Sequence, residues 1–134
     1  MTATLVDTNV ILDLLTADPQ WGLWSAARLD AASMAGPLLI NDVIYAELSV
    51  RFSDLERMNS VLANMRLNVA RTPRAALFLA GRVFTDYRRS GGTRTGVLPD
   101  FFIGAHAAVS RLPILTRDTG RYRTYFPTVS LVTP

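Results

Sequence analysis

Neither cysteine nor lysine occurs in this 134-residue chain, and histidine occurs once. Without cysteine the chain can form no disulfide, no thiolate nucleophile and no zinc–cysteine site. A phosphate-binding P-loop requires a lysine, and acidic pockets of the response-regulator and haloacid-dehalogenase types place one beside their aspartates. With a single histidine, the chain has only one candidate base for a catalytic triad based on histidine. Several common nucleophilic and nucleotide-binding sites are therefore excluded.

Long uncharged apolar runs are also missing, so no membrane span is expected. The N-terminus does not have the basic start and apolar stretch of a signal peptide, because Asp7 interrupts the first apolar run. Charged residues make up 19% and apolar residues 49% of the chain, which is far from the composition of disordered proteins. We expect a single cytoplasmic domain over residues 1–134.

All 14 basic residues are arginines, and the formal net charge is +3 with a pI near 9.9. Guanidinium groups bind phosphate bidentately, so the arginines favour a polyanionic partner. A coding bias towards arginine would produce the same composition, and charge alone leaves both explanations open.

Short apolar segments alternate with helical patterns along the chain. Strands are predicted at residues 4–6, 37–40, 67–70, 113–116 and 128–132. Among the helices between them, the one at 19–34 is expected to present Trp24, Ala27, Ala31 and Met34 on one face. The alternation predicts a three-layer α/β/α fold around a central, mainly parallel sheet of short strands.

Four of the eleven acidic residues lie where such a sheet would bring them together. Asp7 closes the first strand and Asp118 follows the fourth, while Glu47 and Asp100 lie on helices that start at the same edge. This edge is where ligands of parallel α/β sheets bind. Each acid alone could be a helix cap, a turn residue or a solvent-facing side chain. Together, carboxylates in an apolar cleft repel one another and require protons or a cation.

The ligand chemistry of this cluster favours Mg²⁺ or Mn²⁺, because carboxylate oxygens are hard ligands and imidazoles are scarce. Such an ion activates water and stabilises charge on a phosphate and its leaving oxygen. The arginines would hold the polyanion. The acidic cluster and the basic composition together indicate a nuclease.

Over essentially its whole length the chain resembles the PIN-domain ribonucleases, specifically the VapC toxins of bacterial type II toxin–antitoxin pairs. The motifs that carry the resemblance are LVDTNVILDLL with Asp7, VIYAELS with Glu47, PDFFIGAHA with Asp100 and PILTRDTGRYRTYFP with Asp118. They follow one another in the order of that family. By this resemblance the first strand lies beside the strand at 113–116.

The resemblance also implies the roles of individual residues. Asp7, Asp100 and Asp118 would be metal ligands, and Glu47 would bind the metal through water or help to deprotonate the attacking water. The residues expected to support these acids are Thr8, Asn9 and Thr116.

The activity implied is metal-dependent endonucleolytic hydrolysis of phosphodiester bonds in structured RNA, either tRNA or ribosomal RNA, with Mg²⁺ as cofactor and Mn²⁺ as a substitute. The implied partners are a cognate antitoxin, whose Arg or Lys occupies the metal position, and a second copy in a homodimer through the Met- and Leu-rich face at 55–65. Two alternatives stay open: a non-catalytic RNA-binding module with this fold, and a housekeeping PIN nuclease of RNA maturation without an antitoxin.

The remaining polar residues have less specific interpretations. Asp13 is expected to point outward from the first helix, and His106 is interpreted as a packed or surface histidine rather than a base. The candidates for RNA contact are Arg94, Arg117, Arg121 and Arg123, for each of which a solvated surface role is equally open.

Overall fold

The computed structural model describes residues 1–94 and 96–134. Its strands are β1 (Thr4–Val6), β2 (Leu38–Asn41), β3 (Leu67–Ala70), β4 (Ile114–Leu115) and β5 (Leu131–Val132). The helices of this described part are α1 (Thr8–Leu15), α2 (Gly22–Ala35), α3 (Asp42–Ser49), α4 (Leu55–Asn64), α5 (Arg74–Arg89), α6 (Leu98–Ser110) and α7 (Gly120–Tyr125). One five-stranded sheet runs in the order β3-β2-β1-β4-β5, and every neighbouring pair is parallel. The predicted α/β fold class is confirmed.

Strand β1 lies at the centre of the sheet, where Leu5 and Val6 are fully buried. It pairs with β4, with Leu5 opposite Ile114, which confirms that these two strands are neighbours. The backbone N–H of Asp7 extends the ladder by donating to the carbonyl of Leu115 at 2.9 Å. The ends of β1 and β4 therefore bring together two segments that are more than a hundred residues apart.

Helices α1 and α3 begin directly after the central strands β1 and β2, whereas α6 follows α5, and the local sequence explains each start. Asp7 is the N-cap of α1, with its side chain accepting from the N–H of Thr8. Asn41 caps α3 in the same way, accepting from the N–H of Ile44 at 3.0 Å. Proline stands in the first turn of α6, where its missing N–H is harmless. These features stabilise the first turns of three helices.

Helix α6 is the central helix, and it is held by close packing on two sides. A Cβ at Gly104 would lie 2.3 Å from the ring of Phe126, so only glycine allows the end of α7 to approach this closely. The rings of Tyr87 and Phe101 meet edge to face with centroids 5.7 Å apart. The C-terminal turn of α5 therefore lies beside the first turn of α6, which carries Asp100.

The predicted inner face of α2 is wrong at three of its four residues. Met34 is 80% exposed and Ala27 and Ala31 are exposed as well, whereas Trp24 is half-buried and packs against the core. The buried residues of α2 are instead Ser25 and Leu29.

Met58 and Leu62 on α4 are only 2% and 3% exposed, because they pack into the chain's own core. They are unavailable to a second copy, whereas Leu55 in the same range is 65% exposed, so a homodimer through the face at 55–65 stays a prediction. No helix of the described ranges is long and apolar enough to cross a membrane.

Candidate active site

The side chain of Asp7 is the centre of a hydrogen-bond network at the carboxyl edge of the sheet. Its Oδ1 accepts from the N–H of Thr8 at 2.7 Å. Its Oδ2 accepts from the hydroxyls of Thr116, at 2.8 Å, and Tyr122, at 3.0 Å. Asn9 Nδ2 makes a longer contact of 3.4 Å to the same oxygen. These donors fix the orientation of a carboxylate that is only 5% exposed.

Glu47 reaches the same edge from α3 and is held there by α1. Its Oε1 accepts from the hydroxyl of Thr8 at 2.7 Å. Because Thr8 also donates its backbone N–H to Asp7, one residue orients two of the predicted catalytic acids. The supporting role predicted for Thr8 thus has a geometric basis.

Asp100, in the first turn of α6, forms an ion pair with the guanidinium of Arg121. Asp118 follows β4 in a loop where its N–H donates to Thr116 Oγ1 at 3.0 Å, and its Oδ1 accepts from the N–H of Gly120 at 3.3 Å. Thr116 therefore links the loop of Asp118 to Asp7 through a single hydroxyl.

The four acids influence one another electrostatically. Burial, with a contribution from Asp100, raises the pKa of Asp7 from 3.8 to about 6, against the lowering effect of its hydrogen bonds. Burial and then Asp100 also raise the pKa of Glu47, while its bond from Thr8 opposes them. Burial, with a contribution from Asp118, raises the pKa of Asp100, although Arg121 opposes the shift. The cleft concentrates negative charge in a poorly solvated place.

This donor set fits a hard divalent cation, because buried carboxylates that repel one another bind such an ion in place of protons. In the conformation described for residues 1–94 and 96–134, no three acidic or histidine side chains are close enough to grip one ion jointly. In this conformation the positive charge next to Asp100 is the guanidinium of Arg121.

Two polar residues of this region were missed by sequence reasoning. Tyr122 is 2% exposed and donates to Asp7, and burial followed by the charge of Asp7 raises its pKa, so it remains a donor. The available signal was its place four residues after Asp118, on the first turn of a short helix. The second is Asp13, which is 2% exposed. The prediction that it points outward is wrong, because it accepts from Arg117 and Ser25 inside the protein.

His106 lies outside the acidic cluster. It is 3% exposed, and its Nδ1 is 3.2 Å from Asn41 Nδ2. Burial lowers its pKa, which favours the neutral ring. Its interpretation as a packed histidine is confirmed.

The arrangement of acids at the ends of parallel strands can be compared with known families. A family model described as PIN domain matches residues 4–127. The chain belongs to the PIN-domain family. No curated protein sequence matches this PIN domain.

Solved structures similar to this PIN domain include several toxin–antitoxin complexes. VapBC2 from Rickettsia felis, bound to a DNA fragment from its promoter, aligns with a TM-score of 0.76 and 17% identity over 99% of both chains. DNA-bound VapBC from Salmonella typhimurium aligns with a TM-score of 0.71 and 20% identity over 99% of this chain and 98% of that one. A toxin–antitoxin complex from Klebsiella pneumoniae aligns with a TM-score of 0.69 and 22% identity over 98% of this chain and 97% of that one. At these identities the likeness establishes a shared fold.

An apolar hollow of about 460 Å³ adjoins the acids of this PIN domain. Its lining is mostly apolar and also contains two carboxylates, and consists of Val43, Ala46, Leu98, Pro99 and Phe102 with Asp42 and Glu47. The acidic cleft thus adjoins an apolar surface, that of the hollow.

The predicted RNA-contact arginines differ in their surroundings. Arg94 and Arg123 are exposed, with Arg123 in the last turn of α7. Arg121 is paired with Asp100. Two guanidinium nitrogens of Arg117 donate to the carboxylate of Asp13, at 2.7 and 2.9 Å. Fewer of its N–H groups are therefore left to bind phosphate.

Proposed function

We propose that this PIN domain is a divalent-metal-dependent endoribonuclease and the toxin of a VapBC-type pair, hydrolysing phosphodiester bonds in structured RNA such as tRNA or ribosomal RNA. The observation that carries the proposal is the convergence of Asp7, Glu47, Asp100 and Asp118 on one sheet edge, with linked hydrogen bonds and raised pKa values at three of them. A protein that only bound RNA would gain nothing from carboxylates facing phosphate.

Asp7, Asp100 and Asp118 would hold Mg²⁺, with Mn²⁺ as a substitute. When bound, the ion supplies activation of water and stabilisation of charge on the phosphate. Thr116 and Tyr122 orient the carboxylate of Asp7 by donating to it. Asn9 supports the same group from α1.

Glu47 has the properties of a proton acceptor for the attacking water. It is half-buried, its pKa is raised, and Thr8 orients it from within the site. A raised pKa brings a carboxylate nearer to the working pH, which suits general-base catalysis.

Arg94, Arg121 and Arg123 are proposed to contact the RNA backbone around the cleft. The edge-to-face contact of Tyr87 with Phe101 supports this for Arg94, because the loop after α5 starts beside the first turn of α6. The N–H of Arg94 donates to the hydroxyl of Tyr87 at 3.0 Å, so this arginine stays near that turn. Guanidinium groups there would neutralise phosphates next to the acids.

A cognate antitoxin is the proposed regulator of the toxin. The likeness to toxin–antitoxin complexes supports it, and so does the apolar hollow beside the acids. A segment with an apolar face and an Arg or Lys would fill the hollow and neutralise the carboxylates. A homodimer is also proposed.

The proposal is tested with the purified chain, freed of any co-purifying protein and incubated with total tRNA and ribosomal RNA. Reactions contain Mg²⁺, Mn²⁺ or EDTA, and Asp7→Asn is compared with Asp86→Asn, a matched change at an exposed carboxylate on α5. Discrete cuts that require metal, vanish in Asp7→Asn and persist in Asp86→Asn are expected.

Other outcomes identify the alternatives. RNA binding without cleavage under every metal condition would indicate a non-catalytic RNA-binding module. Cleavage that no neighbouring small protein inhibits on co-expression would indicate a housekeeping nuclease. Light scattering of the chain alone gives the oligomeric state, and a monomer would remove the homodimer.

A further inference from the structure

A buried ion pair joins α1 to the loop that carries Asp118. Arg117 Nε lies 2.7 Å from Asp13 Oδ2, and Arg117 Nη2 lies 2.9 Å from Asp13 Oδ1. The geometry is bidentate, which is the most directional arrangement available to a guanidinium and a carboxylate. The Asp13 side chain is 3% exposed and that of Arg117 is 26% exposed.

Helix α2 holds this ion pair from the other side. The Ser25 hydroxyl donates to Asp13 Oδ2 at 2.6 Å. The guanidinium of Arg117 lies over the ring of Trp21, 5.3 Å from its centroid. The ion pair is thus fixed by hydrogen bonds and stacking, and neither side chain can change rotamer without losing several contacts.

Arg117 stands between two residues of the active site. Its backbone N–H donates to Asn9 Oδ1 at 3.1 Å. The next N–H, of Asp118, donates to the hydroxyl of Thr116 at 3.0 Å, and that hydroxyl donates to Asp7. The side chain that Asp13 holds therefore belongs to the same short loop that sets the position of Asp118 relative to Asp7.

We propose that Asp13 is a positioning residue, which acts through Arg117 to hold the 116–118 loop in the conformation that lets Asp118 share a divalent ion with Asp7. The inference rests on the proposed function, since it assigns Asp13 a task in that site. An ion pair retained only for stability would be a poor choice here, because a buried pair gains little over apolar residues of similar volume. The loop contacts give it a specific use.

The first experiment measures the affinity for Mn²⁺ by calorimetry on the intact protein. Asp13→Asn is compared with wild type and with Asp30→Asn, a matched change at an exposed carboxylate on α2. Loss of a residue that orients metal ligands lowers affinity or activity by about 10–100-fold. We expect a loss of this size in Asp13→Asn and none in Asp30→Asn. Unchanged Mn²⁺ affinity in folded Asp13→Asn would overturn the inference.

A double variant separates positioning from stability. Removing one partner of a buried pair leaves an unpaired charge, whereas removing both restores much of the stability. Asp13→Asn combined with Arg117→Met should therefore melt closer to wild type than either single variant, yet keep the weakened Mn²⁺ affinity. If the double variant recovers Mn²⁺ affinity as well as stability, the Asp13–Arg117 ion pair has only a structural role. If both single variants fail to fold, the double variant and Ser25→Ala, which removes one hydroxyl, provide the same comparison.

Hydrogen exchange provides a readout that does not depend on catalysis. The amide of Arg117 donates to Asn9 on α1 and that of Asp118 donates to Thr116 within the loop. Asp13→Asn should therefore speed their exchange, while the amide of Leu5 in central β1 keeps its protection. Unchanged exchange at both amides would refute positioning. A wild type that neither binds Mn²⁺ nor cuts RNA would refute the proposed function, and this exchange would still decide whether Asp13 holds the loop.

Discussion

Replacing Asp7 by asparagine should stabilise the metal-free protein at neutral and alkaline pH while it removes activity. Asp7 is 5% exposed, and burial, with Asp100, raises its pKa from 3.8 to about 6. The stabilising contribution of the protonated acid is complete below pH 3.8 and is lost as the pH rises through 6. At pH 8 the shift corresponds to about 3 kcal/mol of unfolding free energy that ionised Asp7 removes.

Asparagine carries no charge, so the variant should not show this loss. One of its side-chain atoms becomes a donor where Oδ2 accepts from Thr116 and Tyr122. Rearranging these hydroxyls costs about 1 kcal/mol, independently of pH. The net expectation at pH 8 is a gain of about 2 kcal/mol. The difference between the two proteins should grow from about pH 4 to about pH 6, between the two pKa values of Asp7, and then level off up to pH 8.

The assay is urea unfolding of both proteins from pH 4 to pH 8 with a chelator present. His106, whose pKa is lowered by burial, contributes an opposite slope in both proteins and cancels in their difference. Stability profiles that run parallel over the whole range would refute the electrostatic reasoning. Excess Mn²⁺ should then reverse the order, because an ion at 100 times its Kd stabilises the wild type by about 2.7 kcal/mol.

Three further changes, the last with a matched glycine control, test other parts of the structure. Asp100→Asn should abolish RNA cleavage with an unchanged circular dichroism spectrum, and full activity in the pure variant would remove this residue from the site. Arg121→Ala should weaken RNA binding and reduce the slope of log K against log salt by about 0.7–0.9 for one lost phosphate contact; an unchanged slope would exclude the contact. Gly104→Ala should lower the unfolding free energy by about 1–3 kcal/mol through overpacking on Phe126. Gly81→Ala, with open space around its Cβ position, should raise it by up to about 1 kcal/mol, and equal effects of the two changes would contradict the packing argument.

The salt titration has its own controls. RNA binding is measured in an Asp7→Asn background, so that the substrate stays intact. Arg111→Ala serves as the matched arginine change, because Arg111 follows the far end of α6 from Asp100. A similar loss of slope in this variant would show that the effect reflects overall charge rather than the cleft.

Much of the fold was predictable from local sequence. The apolar segments at 4–6 and 67–70 coincide with β1 and β3, and the acids that directly follow strands lie at the predicted edge. Glu47 was also predictable, because a helix after a parallel strand starts at the edge where that strand ends. Such inferences need only residues that are adjacent in the chain. Asp100 is different, since α6 follows α5 and not a strand, and its place was implied by the family resemblance.

Helix faces were less predictable, and α2 shows why. Its apolar residues are spread around the helix axis. Small side chains such as Ala27 and Ala31 therefore did not indicate which face of the helix is buried. The inward face contains Ser25, a polar residue that is buried because it donates to Asp13. A pattern of apolar residues cannot reveal a face that is buried for a polar contact.

The sequence by itself determined the alternation of strands and helices and the edge at which the four acids meet. Only the tertiary structure decided what surrounds them: the hydroxyl of Tyr122 on Asp7, the guanidinium of Arg121 on Asp100 and the Asp13–Arg117 pair. The succession of strands and helices along the chain follows from neighbouring residues, whereas side-chain partners depend on rotamers and on contacts between segments up to 115 residues apart.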